Sequence, residues 1–193
     1  MMKQQGLKMR DIATIGIFGA ILYVVTMVVG AVTGMEMTVY MFSCSFVALF
    51  SAPLYMLIMA KVHKKGAVLM TCAIVGILWA LFGGIFVLLW MVILGIIGEV
   101  IASKTNYQNY KALTATFVLY VTAYYLGALA PLYYYSSYYF THGYSEEATQ
   151  ALINAVHTTA AYVAVPVMVI MAVLASVIAK KMLKKHFEKA GVI

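Results

Sequence analysis

Charge is scarce in this chain. Asp, Glu, Lys and Arg make up 10% of its 193 residues, while 65% are hydrophobic and the mean hydropathy is +0.96. A soluble globular domain is about 45–50% apolar and about 25% charged. So few charges cannot cover a water-facing surface, and most of the chain must face lipid or other helices. Cysteine is nearly absent too: Cys44 and Cys72 have no spaced histidine partners and make no zinc motif. On the topology set out below they lie near opposite membrane faces, which excludes a disulfide, and they read as small core residues.

Enzyme signatures are also missing. There is no GxxxxGK[ST] phosphate loop, so the chain is not expected to hydrolyse ATP in that way, and no HExxH, CxxC or GxSxG occurs. Of the six acidic residues only Glu99, in "ILGIIGEVIASK", falls within an apolar run, about one turn from its end and near Lys104. Proton relays need ionisable groups deeper in a bundle, so Glu99 reads as a paired or snorkelling carboxylate at the interface. No catalytic residue, bound cofactor or metal site is expected. No soluble domain, internal repeat or low-complexity linker is evident.

What is present is a series of apolar runs. Six spans are expected, at about 11–33, 38–60, 66–82, 85–103, 111–133 and 154–180. The first is too long for the apolar core of a secretory signal, about 7–15 residues, and reads as a retained helix. Ala67 to Ala102 is nearly continuous apolar sequence; as one helix it would be roughly 54 Å long, against a bilayer core of about 30 Å. Gly83-Gly84 is the natural break, giving a hairpin of two short helices. The three prolines, Pro53, Pro131 and Pro166, all fall within expected spans, where they bend helices inside a bundle. Ser145-Glu146-Glu147 reads as a helix N-cap with acidic first-turn residues, so the sixth helix is expected to begin above the membrane.

The formal net charge of +7 has a position as well as a size. All thirteen Lys and Arg lie in short clusters, Lys3 to Arg10, Lys61 to Lys65, Lys104, Lys111 and Lys180 to Lys189. The connections at 34–37, 83–84 and about 134–153 contain none. Cytoplasmic loops collect Lys and Arg, so nucleic-acid binding is excluded as the meaning of the charge. The expected fold class is an all-α integral membrane protein, a single six-transmembrane-helix bundle over residues 1–193 with N- and C-termini cytoplasmic.

Aromatic residues gather on the opposite side. "PLYYYSSYYFTHGY", Pro131 to Tyr144, holds six tyrosines, and Tyr120, Tyr124 and Tyr125 lie below it. An aromatic belt at the headgroups explains some of them. A concave pocket with apolar walls and a few polar handles explains the concentration, and both readings stay open. On the pocket reading the substrate-binding candidates are Glu36, Tyr40, Trp79, Trp90, Tyr124, Tyr133, Tyr134, Tyr138, Asn154 and His157, with Asn154 and His157 sharing one face of the sixth helix. A tyrosine or Glu36 partner for His157 is the simpler alternative to ligand contact. Stacking on tyrosine faces suits a small, flat, partly apolar solute; haem belongs to that set as a speculation.

In "IATIGIFGAILYVVTMVVGAVTG" the small residues Ala13, Gly16, Ala20, Gly30, Ala31 and Gly34 follow one side of the first helix, with Met27 among them. Small residues let helices approach closely in lipid, either inside this bundle or against a separate membrane partner.

Together these features resemble the substrate-binding S components of energy-coupling factor (ECF) transporters, whose first helix carries AxxxA; Gly16 and Ala20 stand at the matching positions. "RDIATIGIFGAILYVV", "ILGIIGEVIASK" and "KKMLKKHFEKAGVI" resemble the Trep_Strep group over essentially the whole chain. The resemblance implies that the protein captures a vitamin-like or other micronutrient between its outer loops. A transmembrane T component and two ABC ATPases would supply energy by hydrolysing ATP, and the S component would topple to deliver its ligand. It further implies that Ala13, Gly16 and Ala20 meet the T component, and that the loops near Glu36, Gly83 and 133–144 cap the ligand; ligand contacts are not carried over residue by residue. A self-sufficient carrier or channel would instead need ionisable groups at mid-span or inverted repeats. A membrane-embedded enzyme would need a catalytic cluster within a span.

Overall fold

The computed structural model describes residues 6–141 and 145–184. His142, Gly143 and Tyr144 of the tyrosine-rich stretch, Lys3, and the chain from 185 onward therefore lie outside the described residues. Among those described, the structure is helical and contains no strand.

Helix α1, Met9–Thr33, is apolar all round, and packing rather than polarity sets which face is inside. Ile15, Gly19, Leu22, Thr26, Val29 and Thr33, spaced alternately four and three apart, form its buried stripe, while Ile17, Val24, Val28 and Val32 are exposed. That spacing is the seam of a helix packed lengthwise on others. The expected second span is divided at Phe42 into a single-turn α2, Met37–Met41, and α3, Ser43–Lys61. Glu36 starts α2 by accepting from the amides of Thr38 (3.1 Å) and Val39 (2.6 Å). Helix α3 is the most enclosed of the long helices, 67% buried over its apolar window, and forms the axis of the bundle.

Helices α4, Ala67–Leu81, and α5, Ile85–Lys104, form the expected hairpin, turning at Phe82–Gly84. Gly83 has φ +89°, a left-handed conformation natural to glycine. Helix α6, Tyr110–Ala128, closes with the Tyr125 carbonyl accepting from the amides of both Leu129 and Ala130. Pro131 then opens the next turn, α7 (Pro131–Tyr134), within a stretch that runs from Tyr110 to Tyr134. After α8, Ser137–Thr141, comes α9, Glu146–Val156, whose N-cap Ser145 accepts from the Ala148 amide at 3.1 Å. Helix α9 ends at Val156; His157 is its C-cap and α10, Thr159–Met182, starts afresh. The sixth helix is thus two helices, and Asn154 and His157 do not share one continuous face.

Among the described residues, five helices are long and apolar enough to cross a membrane: α1, α3, α5, the α6–α7 stretch to Tyr134, and α10. Helix α4 is apolar but has 15 residues, about 22 Å at 1.5 Å per residue. Neighbouring contacts run α1–α4–α5–α6–α10 around α3, and the ring opens between α10 and α1, where Phe46 and Phe50 reach the surface. Glycine brings α4, α5 and α6 together: a Cβ on Gly76 would stand 2.9 Å from Leu88 Cα, and one on Gly127 would stand 2.3 Å from Val87 Cα.

The bundle has two chemically distinct ends. At one, Lys64 pairs with Asp11 at 2.5 Å and Lys180 lies over the Tyr110 ring. Glu99 belongs to this end but is not partnered by Lys104. Its carboxylate caps the start of α4, accepting from the amides of Gly66 (2.6 Å), Val68 (3.0 Å) and Leu69 (3.2 Å) and from the Tyr107 hydroxyl. Burial, together with the adjoining Glu99, pushes that hydroxyl well above the usual phenol range. We call this the basic end; the other is the aromatic end.

Candidate ligand-binding site

At the aromatic end the α4–α5 hairpin sets Trp79 and Phe86 on either side of a tight turn. Gly84 packs so closely that a Cβ there would meet the Trp79 carbonyl at 3.0 Å. The indole is held on three sides. Its Nε1–H donates to Thr26 Oγ1 at 3.0 Å, its ring meets Tyr23 edge-on with centroids 5.5 Å apart, and Tyr124 lies tilted at 5.6 Å. On α6 the buried stripe Phe117, Tyr120, Tyr124 and Gly127, spaced three or four apart, faces the bundle interior. Across the top, the Tyr138 hydroxyl donates to the Gly83 carbonyl at 2.6 Å, and Tyr139 donates to the Ala128 carbonyl at 3.0 Å. Phe86 meets the Tyr138 ring edge-on at 5.1 Å.

These groups surround a chamber of about 80 Å³ whose walls include Tyr40, Trp79, Phe86, Tyr124, Tyr138 and Tyr139. A vestibule of about 260 Å³ adjoins it, bounded by Gly34, Met37, Ala148 and the two residues that line both spaces, Tyr40 and Leu152. No charged side chain lines either space among the described residues. The polar handles are phenol hydroxyls and main chain, so the site offers stacking faces and neutral hydrogen-bonding groups. A larger groove of about 590 Å³ lies between α1 and α3, lined by residues such as Val24, Val28, Val32, Phe46 and Phe50. Its nearly unbroken hydrocarbon surface lacks the polar groups that orient a specific solute.

A family model described as a hypothetical bacterial integral membrane protein (Trep_Strep) matches residues 9–189. The chain belongs to the Trep_Strep family. With its long apolar helices it is a multi-pass protein of the bacterial membrane. Comparison with curated proteins and with solved structures finds no match.

In this Trep_Strep protein four of the expected binding residues, Tyr40, Trp79, Tyr124 and Tyr138, meet around one chamber. The other six stand apart from its walls. Glu36 is exposed and spends its carboxylate on α2, whose Val39 and Thr38 amides hold it below the ordinary carboxylate range. Asn154 is exposed and accepts from Gln150 at 3.1 Å. His157, also exposed, meets the Tyr133 ring edge-on at 5.5 Å. Tyr134 is 60% exposed, and half-buried Trp90 packs against the core without lining either space. For Asn154 and His157 the cause is the end of α9 at Val156, which takes His157 out of the helix that carries Asn154.

Sequence reasoning missed Phe86, Gly127 and Leu152 as wall residues. The signals were present: Phe86 directly follows the Gly-Gly turn and its Ile85 neighbour, and Gly127 is three residues after Tyr124. One turn below Tyr124, the buried Tyr120 hydroxyl has no hydrogen-bond partner. On α1, Ala13 and Ala20 are exposed, and nothing lies within 4 Å of a Cβ built on Gly16 or Gly30. The inward small residue is Gly19, whose Cβ would meet Ile74 at 3.0 Å. The Gly16/Ala20 face is therefore on the outside of the bundle and is not used for internal packing.

Proposed function

We propose that this Trep_Strep protein is the substrate-binding S component of an ECF-type importer, capturing a small micronutrient in the aromatic chamber. The observation that carries the reading is the chamber itself: a hollow with ring walls and neutral polar handles, at the end of the bundle opposite every described Lys and Arg. The positive-inside rule puts the basic end, with both termini, in the cytoplasm and the chamber outside. Helix α4 reaches from Glu99 at the basic end to Tyr138 at the aromatic end through its flanking turns, which supports six crossings despite its shortness.

The protein is not itself an enzyme and holds no cofactor. A membrane T component docks on α1 at Ala13, Gly16 and Ala20, whose outward placement supports that role, and two ABC ATPases hydrolyse ATP. Pockets for drug-sized ligands measure about 300–1,000 Å³, so the chamber takes a compact group while the vestibule takes the rest. Glu99 is committed to capping α4, which disfavours a proton-coupled carrier.

The test is affinity purification from the native membrane. A T component and two ATPases should co-purify with the protein, and Gly16→Leu or Ala20→Leu should release them without loss of ligand. Isolation of the protein alone, or an assembly indifferent to both substitutions, contradicts the reading.

A further inference from the structure

The aromatic end is not merely poor in cations; what formal charge it has is negative. No Lys or Arg occurs within 12–60, 66–103 or 112–179, which together supply every wall of the chamber and vestibule. Acidic residues adjoin two of the vestibule walls in the chain. Met37 and Ala148 line the vestibule, and their chain neighbours are Glu36 and Glu147, with Glu146 beside the latter. Helix α2 packs on α9, which brings these acidic segments together. His157 lines neither space.

An anionic solute would meet this field on approach and then lose its hydration with no cation to replace it. A cation is drawn toward the mouth, and inside it meets a wall built largely of aromatic rings. Ammonium groups are held in this way by clustered Trp and Tyr, most strongly where water is excluded. The inner chamber, about 80 Å³, suits a compact head rather than a fused ring system.

We propose that the ligand is a compact organic cation whose ammonium head enters the chamber formed by Trp79, Tyr124 and Tyr40, with its remainder in the vestibule. This rests on the chamber being the substrate site, as argued above. The same head chemistry occurs in free solutes and in choline lipids, and the free solute is the source proposed.

The test uses the full chain in nanodiscs of phosphatidylglycerol and phosphatidylethanolamine, followed by calorimetry and tryptophan fluorescence. The probes are tetramethylammonium, choline, the neutral choline isostere 3,3-dimethylbutanol, indole and benzoate. Choline and tetramethylammonium should bind at least about tenfold more tightly than the neutral isostere. Trp79→Leu should abolish that preference, and Trp79→Phe should keep most of it. Glu147→Gln, a surface change that leaves the chamber intact, should weaken binding a few-fold and reduce its dependence on salt.

Equal binding of the isostere, or binding of indole or benzoate alone, overturns the cation while leaving the chamber a ligand site. Binding of none of the five overturns both. Nanodiscs containing phosphatidylcholine provide the last arm. Choline binding that persists there supports a free solute, whereas binding blocked by the lipid overturns that source.

Discussion

The hydroxyl of Tyr138 sits 2.6 Å from the carbonyl oxygen of Gly83. One hydrogen bond thus ties the tyrosine-rich segment to the α4–α5 turn across the top of the chamber. Gly83 takes a positive φ within that turn. Tyr138→Phe removes the tie and keeps the ring against Phe86. The expected cost is about 1 kcal/mol locally, read as faster hydrogen exchange of the α8 amides with the core unchanged. Exchange confined to the wild-type rate would mean that the tie does not hold this segment.

The two kinds of glycine should respond oppositely to a methyl group. At Gly127 it collides with the α5 backbone, which cannot move aside as a side-chain tip can. Gly127→Ala should therefore destabilise by about 1–3 kcal/mol or more. Gly16→Ala and Gly30→Ala meet open space and should be neutral or stabilising by up to about 1 kcal/mol. Thermal unfolding in detergent separates the three variants.

Glu99→Gln tests whether the carboxylate is a helix cap. A glutamine amide nitrogen cannot accept, so either the Gly66 and Tyr107 donors or the Val68 and Leu69 donors lose their partner. Charge-assisted bonds of this kind contribute about 1.5–3 kcal/mol. Stability should fall by roughly that amount, with faster exchange at the amides opening α4 and ligand binding retained. A loss of binding without a loss of stability would give Glu99 a role in transport instead.

Tyr120→Phe should do the reverse of most core substitutions. Its hydroxyl is buried without a partner, and deleting an unsatisfied polar group removes a penalty of about 1–3 kcal/mol. The variant should be as stable as the parent or more so. If ligand binding drops as well, the solute reaches one turn deeper than Tyr124.

Particular residues show what could be read from the sequence. Gly83-Gly84 marked the hairpin, and Ser145-Glu146-Glu147 marked the start of α9, because turns and caps have local chemical signatures. The break at Phe42 had none, since Phe42 is neither Gly nor Pro and α3 is apolar all round; the stop at His157 falls where the amphipathic α9 gives way to the apolar α10, a change of pattern within what reads as one helix. Pro131 was visible but ambiguous, since proline suits both a kink and a first turn. Glu99 was visible near Lys104, yet its three backbone donors are 30–33 residues away in sequence around Gly66. The four aromatic wall residues were legible as a cluster; the other six were grouped with them by falling on the same outer side, and only the pairing of Asn154 with His157 assumed an uninterrupted helix.

The most direct test of a ligand chamber at the aromatic end is native mass spectrometry of protein purified from cells grown in rich medium. The account predicts one bound small molecule in the parent and in Trp90→Leu, whose ring lines neither space, and its loss in folded Trp79→Leu. No bound molecule in the parent, or equal retention by both tryptophan variants, would contradict it.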